Sequence, residues 1–134
     1  MYNTNMEHSA IIKLKEKRDG QSALMTTGSV CRIGNSINIT YGQEGALFTI
    51  GISDGIVSIR RESEEDYTII LQEGKEHSFS VSTPFGEIPM KVFPRKVLCE
   101  ESESGILLEL LYYVSSGKGS PDKFELYLDC KYDD

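Results

Sequence analysis

The chain has 134 residues, 39% of them hydrophobic, no tryptophan and a formal net charge of −7. That length suits one domain, large enough to bury a core without disulfide or metal staples, and no apolar run approaches membrane-spanning length, so no membrane partner is expected. Acidic clusters at Glu62–Asp66, Glu100–Glu103 and Asp133-Asp134 repel phosphate backbones, so nucleic acid is not an expected partner either.

Residues 1–8 are polar and read as a loose segment ahead of a single domain over 9–134. They lack a basic stretch followed by an apolar one, so a secretory signal is not expected and a cytoplasmic location is. From Ser9 to Arg18, Ile12 and Leu14 alternate with Lys13, Lys15 and Lys17. This is a strand with one wet face carrying a local basic patch. Asp19-Gly20 turns the chain into Ser22–Ile33, a long strand whose Gly28 predicts a bulge or sharp bend. Gly34-Asn35 begins a second hairpin, after which Ile37, Ile39 and Tyr41 share a face. Ala46, Phe48, Ile50 and Ile52 follow in register, then Asp54-Gly55 and a strand with Val57, Ile59 and Arg61 on one parity.

Beyond the acidic loop, Tyr67, Ile69 and Leu71 alternate with Thr68, Ile70 and Gln72. His77, Phe79, Val81 and Thr83 then oppose Ser78, Ser80 and Ser82, the cleanest alternation in the chain. Pro84-Phe85-Gly86 suits a turn. Ile88, Met90, Val92 and Pro94 follow on one parity. Pro89 and Pro94 cannot donate to a ladder, which requires an edge, a bulge or a bend there. Ile106–Val114 is apolar on both parities and reads as a strand buried on one face and partly covered on the other. After the polar loop Ser115–Asp122, the residues Phe124, Leu126, Leu128, Cys130 and Tyr132 form a last alternating strand.

Turn residues thus fall roughly every ten residues, a spacing that signals an antiparallel sandwich or barrel. No stretch reads as a helix long enough for parallel crossovers. Long, bent strands in so short a chain favour closure, which removes exposed edges. The predicted fold is all-β, a single antiparallel meander barrel of about eight to ten strands.

Little in the sequence carries chemistry. The odd set Cys31, Cys99 and Cys130 reads as free thiols in a reducing compartment; a Cys99–Cys130 disulfide would require export. His77 has inward parity, which suits either an inert, hydrogen-bonded histidine or a polar contact in a cavity. Arg61 also has inward parity. It is either a rim arginine paired with Glu62 or Glu64 or a clamp on a ligand's carboxylate or phosphate. Thr83, Tyr41, Tyr112 and Tyr132 add hydroxyls on the same parity, although side chains in a barrel this small can fill the interior outright. Gly117-Lys118-Gly119-Ser120 lacks the spacing of a phosphate loop. Ser115-Ser116-Gly117-Lys118 lies in a loop where no helix would align a nucleophile with its base. No metal-ligand or catalytic constellation appears, so no cofactor, no metal and no enzyme activity are expected.

Three runs carry a family resemblance: Thr83-Pro84-Phe85-Gly86-Glu87-Ile88-Pro89-Met90-Lys91-Val92, Asp54-Gly55-Ile56-Val57-Ser58-Ile59-Arg60-Arg61, and Gly105-Ile106 through Tyr113. Over residues 9–132 the chain resembles the YwiB-like family, small bacterial proteins carrying a domain of unknown function with a calycin-type, lipocalin-like barrel. The resemblance implies a closed or nearly closed barrel in a cytoplasmic bacterial protein. It implies no activity and no catalytic residues. The chain departs from secreted lipocalins in lacking the Gly-x-Trp signature of their first strand.

Two functions fit these observations. The first is a non-enzymatic barrel that binds a small molecule or short peptide at its mouth, using Arg61, His77, Thr83, Tyr41 and Tyr112. The second is an interaction or regulatory module with a protein partner on its outer surface, where Leu107, Leu111 and Tyr113 lie off the core parity.

Overall fold

A computed structural model describes residues 6–17 and 21–134. They form ten strands and no helix: β1 Met6–Lys17, β2 Gln21–Ile33, β3 Ser36–Gln43, β4 Ala46–Ser53, β5 Ile56–Glu62, β6 Tyr67–Leu71, β7 His77–Thr83, β8 Gly86–Ser102, β9 Gly105–Ser115 and β10 Asp122–Tyr132. The loose segment expected over residues 1–8 is strand from Met6 onward; residues 1–5, and the Asp19-Gly20 turn, lie outside the described residues.

The strands make one antiparallel sheet in the order β6-β5-β4-β3-β2-β1-β10-β9-β8-β7. Every hairpin neighbour pairs except β6 with β7, and the chain's first and last strands pair with each other. The sheet therefore curls into a nearly closed up-and-down barrel whose seam lies between β6 and β7. Asp66 and Ser82 bridge that seam at one end.

Alternation decides which residues fill the barrel. Ile12 and Leu14 on β1, Ile37, Ile39 and Tyr41 on β3, and Leu126, Leu128 and Cys130 on β10 point inward. They join side chains from the other strands in a single buried cluster. Only β7 adds no buried member; its Phe79 packs against the cluster half-buried. Among the described residues no polar or charged residue is buried, as a solidly apolar interior requires.

Two hairpins turn on pairs of positive-φ residues, Glu44 (50°) with Gly45 (77°) and Asp54 (51°) with Gly55 (77°). This backbone matches the right-handed twist of the flanking strands. The prolines of β8 stand where the strand lacks a second partner or breaks register. Pro89 pairs with Ser80 of β7, while pairing with β9 starts only at Lys91. Between Pro94 and Lys96 the ladder to β9 slips, with Arg95 as the extra residue. The slip swaps the inward parity from Val92 to Val97 and Cys99. The β6–β7 loop satisfies groups freed at this bulge: the Gly74 N–H donates to the Pro94 carbonyl at 3.0 Å, and the Val97 N–H donates to Glu73 Oε1 at 3.1 Å.

Gly28 makes no bulge. It pairs in unbroken register with Ala10 on β1 and opens the ladder to β3 opposite Tyr41. The reason for glycine is close approach: a Cβ here would meet the Thr40 carbonyl oxygen and would lie 2.6 Å from Ile12 Cδ1. Gly28→Ala is therefore expected to lower stability by about 1–3 kcal/mol, read as a lower urea midpoint. An unchanged midpoint would show that the β1–β2–β3 junction relaxes freely.

Candidate functional site

Arg61 is the second-last residue of β5. Its strand parity aims it inward, yet its side chain stays 27% exposed because the barrel is open beside it. Across the ladders it stands between Phe48 on β4 and Tyr67 on β6. Its guanidinium meets Glu65 at 3.4 Å, whereas Glu62 pairs with Arg60 at 3.1 Å. The acidic loop holds Glu65 in place through its own hydrogen bonds. The Ser63 N–H donates to Asp66 Oδ1 at 2.7 Å, and the Glu65 N–H donates to Ser63 Oγ at 3.1 Å. An exposed pair at this distance contributes little stability, so Glu65 is a weak, exchangeable partner.

Next to Arg61 the seam opens. Reciprocal main-chain bonds join Asp66 and Ser82 at 2.9 and 2.8 Å. Main-chain groups alternate sides along an antiparallel strand, so those of Thr68 and Ile70 on β6 and of Ser78 and Ser80 on β7 also face the seam. No ladder joins them across it. The resulting groove, about 750 Å³, is lined by Arg61, Tyr67, Thr68, Phe79, Ser80 and Ser82 among others. Tyr67 and Phe79 meet across it as tilted rings with centroids 6.3 Å apart. The groove thus offers the guanidinium of Arg61, that of Arg60 already paired with Glu62, the Asp66 carboxylate, two aromatic faces, serine hydroxyls and unladdered peptide groups, a set suited to binding.

The five residues singled out from parity do not converge. Tyr41 stacks on Phe48 at 5.4 Å and stands two strands from Arg61 in the same cross-strand row, outside the groove lining. Burial, with Glu16 and Tyr67 adding, holds its hydroxyl well above the usual phenol range. Tyr112 is buried against Phe124, with ring centroids 5.2 Å apart. Thr83 spends its hydroxyl on the turn: Oγ1 donates to the Gly86 carbonyl at 2.8 Å and accepts from the Phe85 N–H at 3.1 Å. His77 begins β7 at the opposite end of the barrel, and its Nε2 is shielded without a hydrogen-bond partner. Tyr132, the remaining inward hydroxyl, stacks on His8 with centroids 4.0 Å apart. Only Arg61 therefore lines the groove. Tyr67 and Phe79 were visible on inward parity, but nothing in their own sequence neighbourhood marks a seam.

Among the described residues no cluster of three or more His, Cys, Asp or Glu side chains is placed to hold a metal ion. The cysteines are unpaired. Burial pushes the Cys130 thiol up to about 11, with Asp129 adding to the shift, and raises Cys99 likewise.

These features belong to a known class. A family model described as a domain of unknown function, DUF1934, matches residues 7–128, and the chain belongs to that family. It is a YwiB-like domain: the crystal structure of the ywiB protein from Bacillus subtilis superposes with a TM-score of 0.76 at 15% identity, covering 97% of this chain and 94% of that one. At that identity the likeness speaks for the fold. No curated protein matches the chain.

The Cys130 shift has a testable sign. The folded state keeps the thiol proton up to about 11, against an ordinary value of 9.0, so between those values the native state binds more protons than the unfolded chain. Stability should therefore fall as pH rises through that window. Cys130→Val should flatten the fall, as followed by urea unfolding at a series of alkaline pH values. An identical pH dependence in the variant would refute the assignment to Cys130.

Proposed function

We propose that this domain is a non-enzymatic binding barrel that holds a small molecule or short peptide at the β6–β7 seam. Arg61 exchanges Glu65 for a carboxylate or phosphate of the ligand, a stronger and better-aligned partner for a guanidinium. Tyr67 and Phe79 supply the apolar contact, and an extended ligand gains main-chain hydrogen bonds from the seam-facing edges.

The observation that carries this reading is the placement of a part-exposed, loosely paired arginine at the point where the sheet stops pairing. The seat lies at the rim of the lumen, because the lumen itself is occupied by packed side chains. The unpaired cysteines suit a reducing compartment, which supports placing this binding in the cytoplasm.

Native mass spectrometry of the protein purified from its own host tests the proposal. The expected spectrum shows a retained ligand on the wild type and at least about a ten-fold lower occupancy on Arg61→Ala. Loss of an exposed pair should cost that variant less than about 1 kcal/mol, so circular dichroism should show it folded. Equal occupancy in both proteins would place the ligand elsewhere, and a bare wild-type mass at every concentration would count against a retained ligand altogether.

A further inference from the structure

Two fixed points bound the seam, and they disagree. At one end Asp66 faces Ser82, and the two exchange main-chain hydrogen bonds at 2.9 and 2.8 Å. At the other end Gln72 faces Lys75 across the two-residue turn Glu73-Gly74. There Gly74 takes a φ of 79°, and the Lys75 N–H donates to the Gln72 carbonyl at 3.0 Å. Six residue steps separate Asp66 from Gln72, but seven separate Lys75 from Ser82. A regular ladder needs equal steps on both strands, so the two ends set registers one residue apart.

The conflict is also one of faces, because residues directly opposite each other in an antiparallel pair share a side of the sheet. Continued from Asp66 and Ser82, a ladder would set Thr68 on Ser80 and Ile70 on Ser78 outside, with Ile69 on Phe79 inside. That agrees with the buried Ile69 and with Phe79 packed against the core. Continued from the turn, it would set the buried Leu71 on the exposed Glu76 and the buried Ile69 on the exposed Ser78. One residue is left over, and position 76 is where it falls. Without Glu76, the turn would stand in the register of Asp66 and Ser82.

A single extra residue can be absorbed by a bulge, as at Arg95, beyond which the β8–β9 ladder resumes. The β6–β7 connection is held on β8 instead. The Gly74 N–H donates to the Pro94 carbonyl, the Val97 N–H donates to Glu73 Oε1, and Glu76 Oε1 lies 3.5 Å from Lys91 Nζ. The slack goes into the path toward β8, and no ladder joins β6 to β7.

We propose that Glu76 is a spacer, a positioning residue whose place in the chain, and not its carboxylate, keeps the seam unladdered and the groove beside Arg61 open. The register conflict stands on strand pairing alone; its bearing on a ligand rests on the seam reading proposed above.

Amide hydrogen exchange followed by NMR tests the spacer with two length variants. Deleting Glu76 removes the extra residue, and inserting one threonine between Leu71 and Gln72 matches it on the other strand. Each should let Thr68 pair with Ser80 and Ile70 with Ser78, slowing exchange of those four amides by at least about ten-fold. Glu76→Gly keeps the chain length and should leave them at the wild-type rate. Continued protection of the β1–β10 amides shows that a variant is folded. Unchanged exchange at the four amides in a folded length variant overturns the proposal, as does their protection in Glu76→Gly. Loss of β1–β10 protection in both length variants also overturns it, since a matched connection should be easier for the barrel to close. In native mass spectra of protein purified from its own host, a zipped variant should lose the retained mass. Equal occupancy with the four amides protected overturns the ligand seat at the seam and leaves the spacer standing.

Discussion

Pairing of β1 with β10 is the constraint on which the rest of the structure depends. The two ends of the chain zip together from Ala10 opposite Tyr132 to Lys17 opposite Glu125. In an open meander the first and last strands are the exposed edges; here each has a neighbour on both sides. The terminal residues tighten the join. Asp134 meets His8 Nδ1 at 2.8 Å and accepts from the Ser9 N–H at 3.2 Å. Register matters as much as pairing. A one-residue slip of β1 would turn Lys13 and Lys15 into the lumen and Ile12 and Leu14 into water, and among the described residues no carboxylate is buried there to pair with a lysine.

Zipping the termini does not abolish the edges; it moves them to the far side of the barrel. The ladder fails between β6 and β7, and the consequences gather there. β7 contributes no fully buried side chain. β8 answers with a bulge at Arg95 that brings Val97 and Cys99 inward, and the β6–β7 loop caps that bulge through Gly74 and Glu73. The barrel thus has a tightly packed side, built on β9, β10 and β1, and a looser side at the seam. Segments with few buried contacts are the ones able to open for a ligand, which is why Arg61 gains its interest from position more than from charge.

Much of this architecture was legible in the sequence because a strand's alternation is a local signal. The inward parity of Ile12, Ile39, Ile50, Ile59 and Leu128 follows from period-two spacing alone, and the packed core contains all five. Pro89 and Pro94 announced an irregular strand because a missing N–H is a local fact. Of the bulge or sharp bend that Gly28 suggests, the bulge is absent; a strand glycine can also mark a close approach, and only the positions of Thr40 and Ile12 reveal that one here. Arg61 was readable as inward, but its partner is Glu65 and not Glu62 or Glu64; loop hydrogen bonds at Ser63 decide that, not sequence distance. The seam itself was not legible. It is an absence of pairing, fixed by how ten strands close, and no residue in β6 or β7 encodes it alone.

The packing also decides where recognition can occur on this fold. A ligand entering the lumen would have to displace side chains that interlock from nine strands, and such overpacking costs about 1–3 kcal/mol even for one extra methylene group or so. Among the described residues no charged side chain is buried there to orient it, and the buried tyrosines Tyr41 and Tyr112 are stacked on Phe48 and Phe124. Polar side chains stand instead at the rim and on the outer wall: the guanidinium of Arg61 beside the seam, and Lys13, Lys15 and Lys17 on the outward parity of β1. The rigid interior holds these two surfaces in fixed geometry. The barrel is therefore a solid scaffold, in which the parity that builds the core also lines up Lys13, Lys15 and Lys17 on the opposite face.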